Sequence, residues 1–124
     1  MAKARISDAE GRTAVAAALG ETPVRSETAA AVRYLLQELA DRFPGGTLEV
    51  RVPPFGAVQC VEGPAHTRGT PPNVVEMTPA VWLRLASGSL SWADARADAL
   101  VSASGTRATL EGMVPVFPTG AGGH

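Results

Sequence analysis

His66 and Glu76 are the side chains best suited by type to moving a proton near neutral pH, and Arg51 and Arg68 are the nearest candidates for holding an anion. Each also has an ordinary structural role. His66 and Arg68 lie on a loop, Glu62 to Pro72, that carries three prolines and two glycines, and Glu76 ends a strand beside a helix N-terminus, where the helix dipole favours a carboxylate. Cys60 is the single cysteine. It alternates with Val58 on a strand, so it is expected to face the core as a small hydrophobe, with no partner to hold a thiolate. A zinc site needs three or four ligands, and the second histidine, His124, is on the tail, so no metal is expected. Ser102 and Ser104 have no base in view, and the chain has neither a nucleophile elbow nor a glycine-rich phosphate loop. No cofactor is expected.

These residues need a scaffold, and the punctuation of the sequence supplies one. Ser7 with Glu10 forms a capping box for a first helix that ends at Gly20, with a thin apolar face of Val15, Ala18 and Leu19. A second helix runs from after Ser26 to before Pro44. Its stripe of Val32, Leu35, Leu36, Leu39 and Phe43 is backed by a polar face of Arg33, Gln37, Glu38 and Asp41. Leu48, Val50 and Val52 alternate with Glu49 and Arg51 as a strand with one buried face. Pro53-Pro54-Phe55-Gly56 turns the chain into a second strand, Ala57 to Val61, and a further short strand is expected at Ala65 to Arg68. Asn73 to Met77 is a strand, and Thr78-Pro79 starts a helix bearing Val81, Trp82, Leu85 and Ala86 that stops at Gly88. Ser91 and Asp94 open a short helix, Leu100 to Ser104 returns as a strand, and a last turn carries Leu110 and Met113.

With 124 residues the chain has room for one domain, expected over residues 1–118 with a disordered tail at 119–124. The apolar fraction of 45% and charged fraction of 19% are those of a globular protein. Aromatics are only 5% and alanine is abundant, which points to a modest or partly hollow interior. Eleven basic residues against twelve acidic ones give a net charge of -1, scattered rather than striped, which argues against a nucleic-acid partner. No run is long enough to form a transmembrane segment, and the start MAKARISDAEGR lacks the apolar core of a secretion signal. With a lone thiol, the expected location is cytoplasmic.

The segment NVVEMTPAVWLRLASGSLSWADA, followed by the strand Val101 to Ser104 and Gly105, resembles the C-terminal half of sterol carrier protein type-two domains. In that likeness the strand falls on Val74 and Val75, the helix leucine on Leu85 and the glycine on Gly88. The stretch RVPPFGAVQCVEGPAHTRGTPPNVVEMTPAVWLRLASG is similar to a small bacterial branch of the family, the bacterial sterol carrier orthologues. The resemblance implies an α/β fold of the α+β kind, a largely antiparallel sheet of four or five strands with helices over one face. It also implies non-catalytic binding of a fatty-acyl or other lipid ligand in an apolar cavity between sheet and helices.

Placed on this sequence, the apolar lining expected is Val32, Leu35, Leu36, Leu39, Val58, Cys60, Val75, Trp82, Leu85 and Val101, with Arg51, His66 and Arg68 as polar contacts to a head group. Two other readings stand beside it. One is an accessory domain without a cavity, whose Glu62 to Pro72 loop meets a protein partner. The other is a small isomerase-like enzyme using His66 and Glu76.

Overall fold

The computed structural model describes residues 5–63 and 73–117. His66, Arg68, the expected strand at Ala65 to Arg68 and the tail lie outside the described residues. The elements run α1 (Asp8–Ala18), α2 (Arg25–Arg42), β1 (Leu48–Val52), β2 (Gly56–Cys60), β3 (Asn73–Glu76), α3 (Pro79–Ser87), α4 (Trp92–Ala97) and β4 (Ser102–Ser104).

Local capping explains most of these boundaries. The Glu10 amide donates to Ser7 Oγ at 3.1 Å, and the Glu10 carboxylate accepts from the Ser7 amide at 3.4 Å, completing the capping box. Helix α2 starts at Arg25, ahead of the expected position, because Glu27 turns back to accept the Val24 amide at 3.0 Å. In α3, Thr78 Oγ1 accepts the Val81 amide, Pro79 occupies the first turn, and Gly88 closes the helix at a φ of 94°, a left-handed value suited to glycine. The Asp94 amide donates to Ser91 Oγ at 3.0 Å and starts α4.

Strand order is β2-β1-β3-β4. β1 pairs antiparallel with β2 and parallel with β3, and β3 pairs antiparallel with β4, so the sheet is mixed where a largely antiparallel one of up to five strands was expected. Register explains the parallel pair. Cys60 at the end of β2 and Asn73 at the start of β3 both lie opposite Leu48, so β2 and β3 flank β1 on its two sides and β3 starts level with the start of β1 and runs the same way. β4 begins only at Ser102, after Ala99 adopts a φ of 57° and the chain bends at Val101.

Helices cover one face of the sheet. Leu48, Val50, Val52, Cys60 and Val75 point to them and are buried, whereas Glu49, Arg51, Glu76 and Ser102 occupy the opposite, polar face. α3 is tied to α2 by Trp82, whose Nε1 donates to the Val32 carbonyl at 3.3 Å from a fully buried position. Asn73 closes the far end of the core. Its Nδ2 donates to the Thr47 carbonyl at 3.0 Å, and its Oδ1 accepts the Arg107 amide at 2.8 Å. The C-terminal segment docks through the Val116 and Phe117 amides, both of which donate to the Ala86 carbonyl.

α1 is held more firmly than its thin apolar face implies. Gly11 lies directly on the Tyr34 ring, with no space for a β-carbon. The Tyr34 hydroxyl donates to Asp8 at 2.9 Å, and burial together with this bond pushes its pKa up to about 12. Ahead of α1, the Gln37 side-chain amide both donates to and accepts from the Ile6 backbone, at 2.9 and 3.0 Å, and Arg5 pairs with Asp41 at 2.6 Å.

Candidate functional site

The polar candidates are dispersed. Arg51 lies on the open face of the sheet, where its guanidinium donates to Glu49 at 3.0 Å, so the described structure does not bring it to the helix side. Glu76 is exposed on that same face, level with Arg51 and Ser102 across the strands. Ser102 and Ser104 are exposed on β4. Among the described residues no group of three His, Cys, Asp or Glu side chains is arranged to hold a metal ion.

Cys60 is fully buried beneath the helices, and burial pushes its thiol up to about 11. Its thiolate fraction at neutral pH is correspondingly small. A thiol reagent at mildly alkaline pH is therefore expected to modify native protein roughly a hundredfold more slowly than denatured protein. Equal rates in the two states would show that Cys60 is accessible.

The apolar candidates divide into two groups. Val32, Leu35, Leu39, Cys60, Val75, Trp82 and Leu85 have no exposed surface and join one continuous core. Leu36 belongs to that core too, at 1% exposure, and the half-buried Val58 packs against it; both also line a groove of about 660 Å³ between α2 and β2. Val101, half-buried, lines a different recess of about 330 Å³ beside Met77 and Thr78.

The α2–β2 groove is assembled from features that are each local. Gly56 forms part of its floor, where a β-carbon would make ordinary contact with Leu36 Cδ1 at 3.4 Å and Arg33 Cγ at 3.6 Å. Gln37 pins Ile6 along the upper wall, and Arg5 stands exposed beside it, engaged with Asp41. Arg33 is half-buried on the same wall and makes no ion pair within the described residues. Phe55 closes one end, with the Arg25 guanidinium over its ring at 4.8 Å from the centroid. The result is an apolar trough of Ile6, Leu36, Phe55 and Val58 with two guanidinium groups along it.

A family model described as bacterial SCP ortholog matches residues 24–116. The chain belongs to this bacterial SCP ortholog family. No curated protein matches it. The family match begins at the N-cap of α2 and includes both main walls of the groove, whereas α1 and the Arg5-Ile6 strap precede it. Membership accords with the α+β fold and associates the chain with the sterol carrier group, for which a lipid carrier role is the general expectation. No described helix is long and apolar enough to cross a membrane.

Sequence reasoning placed Leu36 and Val58 at the site and missed Ile6, Arg33, Gln37 and Phe55. Arg33 and Gln37 do carry a signal, being one turn apart on α2 and flanking Leu36. Phe55 carries none, because only the hairpin's position under α2 brings it to the groove.

Proposed function

We propose that this chain is a non-catalytic cytoplasmic carrier for a single fatty-acyl chain, held in the groove between α2 and β2. The supporting observation is an apolar trough of about 660 Å³ with Arg33 on its wall and no ion pair to that guanidinium within the described residues. Such a volume falls in the range of about 300–1,000 Å³ usual for small-molecule sites. Each methylene moved out of water onto Leu36, Phe55 and Val58 contributes about 0.8 kcal/mol, so an acyl chain needs few polar contacts to bind. A carboxylate or phosphate head group pairs with the guanidinium fork of Arg33. The buried stripe residues Val32, Leu35 and Leu39 of α2, with Trp82 and Leu85 of α3, form the packed backing that keeps the trough in shape. The lone buried thiol and the bacterial family fit a reducing compartment.

Titration with a fluorescent fatty acid, followed by competition with palmitate, tests this reading. Saturable binding displaced by palmitate is expected, and Arg33→Glu is expected to weaken palmitate about tenfold while leaving the uncharged cetyl alcohol little changed. Failure of the parent protein to bind either probe overturns the carrier reading.

A further inference from the structure

Phe55 lines two separate hollows. One is the α2–β2 groove; the other, of about 410 Å³, lies past the end of the hairpin against Ala18, Pro23, Ala80 and Leu83. Among the described residues no other lines both. The ring is therefore the partition between them. Its position is fixed from two sides: the Phe55 amide donates to the Val52 carbonyl at 2.9 Å, closing the turn, and Arg25 covers the ring face. Pro53 and Pro54 restrict the backbone leading into it. Beyond the partition the lining is mostly apolar, with Arg25 and Thr28 as its polar members, so it offers a chain tip the same kind of contact as the groove.

Resting on the carrier reading, we propose that Phe55, steadied by Arg25, is the chain-length stop of the acyl groove, and that the hollow beyond it is the space a longer chain enters once the ring is removed. A chain that ends short of the ring gains affinity with each added methylene. A chain that reaches it gains nothing further, because the extra carbons are turned out into water.

The experiment is competition binding with a saturated series from octanoate through laurate and palmitate to behenate, delivered as cyclodextrin complexes, on the full-length parent and three variants. In the parent, affinity is expected to rise about fourfold per methylene up to a break and then level off. In Phe55→Ala the rise continues past that break, Phe55→Trp moves the break to shorter chains, and Arg25→Gln shifts it toward longer ones. Opposite shifts in the Ala and Trp variants cannot arise from general loosening of the fold. If Phe55→Ala fails to fold by circular dichroism, the Trp and Gln variants decide.

A break unchanged in the folded variants overturns the chain-length role and leaves the carrier reading standing. Absence of binding in the parent overturns both.

Discussion

Replacing Trp82 with alanine is expected to remove about 3–5 kcal/mol of folding stability, a large part of the total available to a domain of this size. Trp82 has no exposed surface, lies between α3 and the Val32 turn of α2, and spends its one polar hydrogen on the Val32 carbonyl. Truncation leaves a void where close-packed neighbours cannot fully collapse. Phenylalanine at the same position refills most of the volume, so Trp82→Phe is expected to lose roughly half as much. Urea unfolding followed by far-ultraviolet circular dichroism measures both. A cost below about 1 kcal/mol for the alanine variant would mean that the space around Trp82 is already loosely filled, as a hollow interior requires, and would move the binding site back into the core.

The second large effect is at Asn73. Its side chain is the only polar bridge described between the start of β1 and the segment after β4, with one atom serving each. Asn73→Ala deprives the Thr47 carbonyl and the Arg107 amide of their partners together, and about 2–4 kcal/mol is expected to go with them. Asn73→Asp preserves the acceptor for Arg107 but aims a buried carboxylate at the Thr47 carbonyl. Burial raises the pKa of such a group, so the penalty is full at neutral pH and diminishes as the solution is acidified and the carboxyl protonates. Thermal unfolding at neutral and mildly acidic pH separates the two variants. Equal stability of the parent and Asn73→Ala would show that water replaces both bonds at no cost.

These two residues illustrate what was legible in the sequence and what was not. Caps are local, so Ser7 with Glu10, Thr78-Pro79, Gly88 and Ser91 with Asp94 announced their helices, and the stripe containing Val32 and Leu39 announced its burial. Strand order is not local. Nothing near Asn73 says that β3 pairs with β1 rather than β2, and the parallel pair follows only from where the loop delivers the chain. The head-group role considered for Arg51 was at odds with its own strand, since the alternation that buries Val50 and Val52 turns Arg51 to the other face. Val58 shared the inward phase of Cys60, but it lies on β2 at the margin of α2's cover, which leaves it half-buried and makes it part of the groove. Trp82 and Leu85, expected to line a cavity, are instead the packed centre.

Amide chemical-shift mapping on the isotope-labelled protein as palmitate is added tests the location of the acyl chain most directly. Shifts are expected to concentrate at Arg33 to Gln37 of α2 and at Phe55 to Val58 of the hairpin, with Ile6 moving in step. Shifts confined to Ala9, Thr13 and Ala17 in the crevice between α1 and the start of α2, or to the open face around Arg51 and Glu76, would contradict binding in the α2–β2 groove.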